Sequence, residues 1–219
     1  MSETRELVGD AVSLPLEKMP AASWPEAGLD VAELRSGGWE PLPFNYFLLK
    51  VHSRCNLACD YCYMYEMADQ SWLGQPMMMT EPVFDEVCRT IAGHLSHHRV
   101  PAIRLVFHGG EPLLVGATTL DSYARRAREV LEPLTEVRLG MQTNGVLLDE
   151  PILAVCDRWN IRVAVSVDGD RTAHDRHRTY RRGTGSYDDV VQGLSLLTQP
   201  RFQHLFSGLL CTIDIANDP

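Results

Sequence analysis

Long apolar runs are what this sequence most plainly lacks: no stretch of eighteen apolar residues occurs, and residues 1–12 hold no hydrophobic segment of the signal-peptide kind. Neither a membrane span nor a secretory signal is predicted, and a cytoplasmic location is expected. Positive charge is scarce too, with 20 Lys and Arg against 29 Asp and Glu and a formal net charge of −9. A net acidic surface does not draw nucleic acid or an anionic membrane, so neither is expected as a partner. A disulfide framework is also missing. Three of the six cysteines are bunched, while Cys88, Cys156 and Cys211 stand singly in apolar segments, where a free thiol packs as a small hydrophobe.

What is there begins with Cys55-Asn56-Leu57-Ala58-Cys59-Asp60-Tyr61-Cys62, directly after an apolar, strand-like run. Iron-sulfur clusters are held chiefly by cysteine thiolates. A four-iron cubane on three cysteines leaves one iron free to chelate a small molecule. The competing reading is a closed zinc shell of Cys3His type, with His52 joining Cys55, Cys59 and Cys62.

Residues 1–43 include Pro15, Pro20, Pro25, Pro41 and Pro43 and predict a loosely structured leader, with one short helical turn through Leu29, Val31 and Leu34. Residues 44–219 predict the core. Strands are expected over 44–51, 103–107, 137–141, 162–167 and 209–215. Between them lie helical stripes: Val83, Val87, Ile91 and Leu95 after a Thr80 cap; then Leu120, Tyr123, Ala124, Ala127 and Leu131; then Ile152, Val155, Cys156 and Trp159 after an Asp149 cap. The last starts at Ser186, with Asp189 as a capping-box partner, and buries Val190, Leu194 and Leu197.

Strands alternating with helices predict an α/β fold built on a parallel sheet, whose ligands bind at the carboxyl ends of the strands. Those ends are chemically rich. The first runs into His52 and the cysteine loop, the second into His108-Gly109-Gly110-Glu111-Pro112, the third into Gln142-Thr143-Asn144-Gly145 and the fourth into Ser166-Val167-Asp168-Gly169. A zinc knuckle would not require four such ends on one face. Gly109 and Gly110 let backbone approach a ligand closely, and the Glu111 carboxylate can accept from a cationic amine. Asn144-Gly145 reads equally as a turn. Arg178 suits a carboxylate but shares a basic segment with Arg171, Arg176, Arg181 and Arg182. His52, His108 and His174 read as hydrogen-bonded structural residues, and Tyr61, Tyr63, Tyr65, Trp72 and Met77 to Met79 read mainly as packing.

The C-x3-C-x2-C run followed by Gly109-Gly110-Glu111-Pro112 resembles the radical S-adenosylmethionine (SAM) superfamily. The resemblance implies a partial (β/α) barrel with about five βα units present, a 4Fe-4S cluster on Cys55, Cys59 and Cys62, and SAM chelated to the open iron. It further implies SAM contacts from Tyr61 (through its backbone to the adenine), Gly109, Gly110, Glu111, Pro112, Asn144, Ser166, Asp168 and Arg178, the last by pairing with the SAM carboxylate. More narrowly, the runs 51–63, 68–72, 108–114 and 209–214 resemble the FxsB-type radical SAM/SPASM peptide maturases, relatives of the anaerobic sulfatase maturases. The implied reaction is reductive cleavage of SAM to a 5'-deoxyadenosyl radical, hydrogen abstraction from a precursor-peptide side chain and cyclophane crosslinking, with flavodoxin or ferredoxin as electron donor. Formylglycine formation of the sulfatase-maturase type is the alternative. That family continues into a sixth βα unit and a cysteine-rich SPASM region. The sequence stops after its fifth predicted strand, so a core without its C-terminal part is expected, and full crosslinking by this polypeptide alone is not.

Overall fold

In the computed structural model of the protein, which describes residues 30–217, five strands pair in parallel in the order of the sequence. They are β1 (Tyr46–His52), β2 (Ala102–Gly109), β3 (Glu136–Thr143), β4 (Arg162–Ser166) and β5 (Phe206–Leu210). Sequential order is that of a barrel wall laid open, whereas a doubly wound sheet reverses direction at a switch point. The side-chain alternation agrees. Val137, Leu139 and Met141 on β3 are buried in the helix-covered core, while Arg138 between them is exposed; Ile103, Leu105 and Arg104 repeat the pattern on β2. One face of the sheet therefore carries the core and the other lies open.

The chain divides into two units, Met1–Leu42 and Pro43–Pro219. Among the described residues, the first holds one helix, α1 (Val31–Ser36), capped by Asp30, whose carboxylate accepts from the backbone of Ala32 at 2.9 Å and Glu33 at 3.0 Å. No residue of α1 is buried. Leu29, and with it most of the expected leader, lies outside the described residues.

Among the described residues, the second unit contains the sheet and five α-helices. Helix α3 (Gly116–Leu131) buries Leu120, Tyr123, Ala124, Ala127 and Leu131, the stripe its sequence predicts. Helix α4 (Glu150–Trp159) is capped as expected, Asp149 accepting from the Ile152 N–H at 2.8 Å. Helix α2 (Glu81–His97) is rotated from expectation: Phe84, Cys88, Ile91 and Leu95 are buried, and Val83 is 50% exposed. The cause is aromatic packing, since the Phe84 ring stacks on Tyr123 with centroids 4.3 Å apart and lies 6.3 Å from Phe107. Thr80 occupies the N-cap position but makes no side-chain cap bond.

Helix α6 (Tyr187–Leu197) also differs. The expected capping box does not form, because the Ser186 hydroxyl donates instead to the Arg178 carbonyl at 2.7 Å and lies 3.0 Å from His174 Nε2. A short α5 (Arg171–His177), capped by Asp170, was not predicted. Strand β5 ends at Leu210, earlier than expected, since the Thr212 N–H turns off the ladder to the Asp168 carboxylate at 2.9 Å. Cys211 is consequently exposed, contrary to its expected burial. Among the described residues, no helix is long and apolar enough to cross a membrane.

The rotation of α2 gives a direct test. Phe84→Ala is expected to destabilise the protein by about 3–5 kcal/mol, and Val83→Ala by no more than about 0.5 kcal/mol, measured by denaturant unfolding. Equal losses would restore the stripe through Val83.

Candidate functional site

The carboxyl end of the sheet gathers the cysteine loop, the glycine pair after β2, Asn144 after β3 and Asp168 after β4. The cysteine loop is fastened first by backbone: Gly110 N–H donates to the His52 carbonyl and Glu111 N–H to the Arg54 carbonyl, both at 2.9 Å. This approach requires glycine, because a Cβ on Gly110 would stand 2.3 Å from the Arg54 carbonyl oxygen, and one on Gly109 2.3 Å from that of His52. Arg54 secures the far side, its guanidinium donating to the carbonyls of Ser53 and Trp72 at 2.9 and 3.0 Å and of Leu73 and Gln75 at 3.2 Å each.

Glu111 is fully buried, and its carboxylate accepts from the Leu113 N–H at 3.0 Å, the Thr143 hydroxyl at 2.7 Å and the Asn144 N–H at 2.8 Å. Burial pushes its pKa up against those three bonds. Its carboxylate thus braces the ends of β2 and β3 and offers no exposed oxygen to an amine. Gly145, at φ 83°, makes the turn that Asn-Gly suggests, while the Asn144 side chain reaches the cysteine loop, donating to Asn56 Oδ1 at 2.8 Å and standing 3.8 Å from Cys55 Sγ. Pro112 is buried at the start of a short 3-10 turn. Ser166 Oγ accepts from Gln142 Nε2 at 3.0 Å.

Arg178 separates from its basic neighbours. It is 7% exposed, whereas Arg171, Arg176, Arg181 and Arg182 all lie at the surface. Its Nη1 donates to the Tyr61 hydroxyl at 2.7 Å and stands 3.9 Å from Asp168 Oδ2; Tyr61 in turn donates to Asp168. Among the described residues, the Arg178 Nε is buried with no partner. Burial and the bond to Asp168 push the Tyr61 phenol up to about 12. Burial likewise carries the Cys55 thiol up to about 12 and raises that of Cys59, although Arg178 pulls the latter back. Such thiols are protonated at neutral pH until a metal displaces the proton.

Among the described residues, no three His, Cys, Asp or Glu side chains converge on a single ion. Tetrahedral zinc needs four donors at about 2.0–2.3 Å, whereas a cubane takes each thiolate on a different iron. His52, the fourth zinc donor considered, uses Nδ1 to accept from the Arg54 N–H at 3.2 Å. His174 is fully buried and structural, as expected.

Asn56, Thr143 and His177 were not foreseen. His177 lies between two carboxylates, Nδ1 at 2.9 Å from Asp60 and Nε2 at 3.0 Å from Asp214, and so ties the cysteine loop to the segment after β5. These bonds raise its pKa, and Asp214, held also by the Ala216 N–H and Arg176, falls to about 2. The imidazolium's contribution is complete below the ordinary histidine pKa and is lost as pH rises through the elevated one. That of Asp214 is lost as pH falls through about 2. Protection factors against hydrogen exchange around residues 55–62, which correct for the intrinsic pH dependence of exchange, should therefore fall as pH rises through the elevated histidine pKa, and His177→Gln should remove that fall. An unchanged profile in the variant would refute the tie.

Residues 49–210 match the Radical SAM superfamily. A serine-type anaerobic sulfatase-maturating enzyme of Bacteroides thetaiotaomicron is 30% identical over 156 residues, covering 69% of this chain and 36% of that protein. A cysteine-type anaerobic sulfatase-maturating enzyme of Clostridium perfringens (strain 13 / Type A) is 22% identical over 171 residues, covering 78% of this chain and 44% of the relative. Among solved structures, native anSMEcpe with bound AdoMet (SAM) superposes with a TM-score of 0.64 at 22% identity, covering 77% of this chain and 43% of that one. The same protein with bound AdoMet and Cp18Cys peptide gives 0.63 at 23% identity, covering 77% and 43%. These two superpositions speak for the fold, a partial α/β barrel. The chain spans less than half the length of each of these relatives.

Proposed function

This chain belongs to the radical SAM superfamily, and from that premise we propose that it modifies a side chain of a peptide in the manner of the anaerobic sulfatase maturases. It is an enzyme whose cofactors are a 4Fe-4S cluster and SAM. The observation that carries the site assignment is the buried Arg178, with its unpartnered Nε, set near the Cys59 thiol at the end of the sheet that also carries the glycine cradle.

The residues fit the cofactors. Cys55, Cys59 and Cys62 would hold three irons through soft thiolates, and the chemistry the pair supplies is a 5'-deoxyadenosyl radical able to take hydrogen from an unactivated carbon. Arg178 is the cation for the SAM carboxylate, since a guanidinium fork matches a carboxylate and this one keeps a free N–H. Gly109 and Gly110 supply backbone to the amino group. Glu111 contributes by holding that backbone, its own oxygens being engaged. Ser166 and Asp168 serve the ribose and methionyl portions, Tyr61 meets the adenine through its backbone, Pro112 closes the glycine segment that faces the amino group, and Asn144 orients the Cys55 side of the loop. A flavodoxin or ferredoxin would supply the electron.

On the reaction itself, the relatives favour the sulfatase-maturase alternative. Cyclophane crosslinking rests on short sequence runs alone, whereas similarity in sequence and in fold both run to maturases of serine or cysteine side chains. Serine oxidation and crosslinking each remove a hydrogen pair, so mass alone does not separate them. An aldehyde would be captured by a hydroxylamine reagent, and a crosslink would not.

The test is anaerobic reconstitution with iron and sulfide. A brown protein is expected, whose reduced EPR signal shifts on adding SAM and is lost in Cys59→Ala. Arg178→Gln should keep the cluster and weaken SAM binding by about ten- to hundredfold. A colourless protein with stoichiometric zinc would overturn the assignment, and so would SAM affinity indifferent to Arg178.

A further inference from the structure

The open face of the sheet ends, away from the cysteines, in a row of guanidiniums that the cofactor chemistry does not use. Tyr46, Arg104 and Arg138 are in register across β1, β2 and β3, and Arg162 on β4 pairs with Gly140, two positions up from Arg138. All three arginines are exposed and line a cavity of about 920 Å³ on this face. Among the described residues, Glu136 is their one carboxylate partner, held by Arg138 at 2.8 Å. Arg162 donates to the Phe206 carbonyl at 2.8 Å, and Arg104 lies over the Tyr46 ring, 5.9 Å from its centroid.

In a chain with a net charge of −9, this is a local excess of positive charge. Arg104 directly opposite Arg138 sets like charges side by side, an arrangement that costs stability until an anion lies between them. Carboxylates suit the guanidinium fork in two-point contact. Gly110 lies six positions beyond Arg104, and Asn144 six beyond Arg138. At the rise of a β-strand that is roughly 20 Å, the reach of about six extended peptide residues.

We propose that the arginine row Arg104, Arg138 and Arg162 binds acidic side chains of the peptide substrate about six residues from the residue that is modified. This deepens the peptide-modifying reading above and rests on it. The substrate lies along the open face, its reacting side chain at the cysteine end and its carboxylates at the arginine end. The row thereby selects acidic flanking sequence.

The test uses the full chain loaded with cluster and SAM. The probes are two fluorescein-labelled ten-residue peptides, each with a serine and, six residues away, either two glutamates or two glutamines. Anisotropy should give at least about tenfold tighter binding for the glutamate peptide, weakening with salt. The variant Arg104→Gln/Arg138→Gln/Arg162→Gln should lose that preference while keeping the EPR signal, and Arg201→Gln, on a remote surface, should keep both. Should the triple variant fail to fold, Arg104→Gln and Arg138→Gln singly should each lose about threefold.

Equal binding of the two peptides, or a preference that survives the triple variant, would overturn the proposal. So would self-association abolished by the same changes, which would give the row to a second copy of the chain. Binding through the arginines without any change to serine or cysteine peptides would sink the maturase reading alone. Modification indifferent to the glutamates would sink this inference alone.

Discussion

A carboxylate taken wholly out of water is the constraint on which the site depends. Removing Glu111 from solvent carries a desolvation cost of several kcal/mol in protein interiors, offset here by charge-assisted bonds from Leu113, Thr143 and Asn144. Those bonds can be made only if the turns after β2 and β3 adopt one arrangement. Fixing them also fixes Gly109 and Gly110 against the carbonyls of His52 and Arg54, and Asn144 against Asn56 and Cys55. The cysteine loop contains little regular structure of its own. It inherits its geometry from a buried carboxylate at the end of the neighbouring strand.

A second buried charge closes the opposite side. Arg178 leaves water along with Asp168, and the half-buried Tyr61 phenol lies between them, accepting from the cation and donating to the anion. An exposed pair of this kind would stabilise little; an enclosed one orders the groups it joins. Here it joins the cysteine loop, the end of β4 and the chain beyond α5. Asp168 extends the network through the Thr212 N–H, which is why β5 stops where it does.

Much of this was legible in the sequence because it follows from local rules. The stripe of α3 and the Asp149 cap needed only helical periodicity and an unsatisfied first turn. The convergence of four polar strand ends followed from parallel order alone. What was hidden depends on which distant group each side chain meets. Two apolar stripes, one through Val83 and one through Phe84, run along α2, and the choice between them was made by Tyr123 and Phe107. Ser186 has the right residue type for a cap, but His174 and the Arg178 carbonyl claim its hydroxyl. Five arginines crowd one segment, and nothing local marks Arg178 as the buried one. Glu111 reads as a ligand contact because a motif gives residue type and not direction; its side chain turns inward.

The open face was written in the strands as well. A parallel sheet covered on both sides reads as continuous apolar runs, yet β2 contains Ile103-Arg104-Leu105 and β3 contains Val137-Arg138-Leu139. Alternation of that kind encodes a surface meant for water or for a polar ligand. It then lapses: Val106 and Gly140, next along the same face, are buried, and polarity returns at His108 and Gln142. Gly140 and Ala164 present almost no side chain there, which leaves the cavity its depth. A face apolar across its middle and charged or polar at both ends does not suit a small symmetric ligand. It suits an extended one, held at one end while something happens to it at the other.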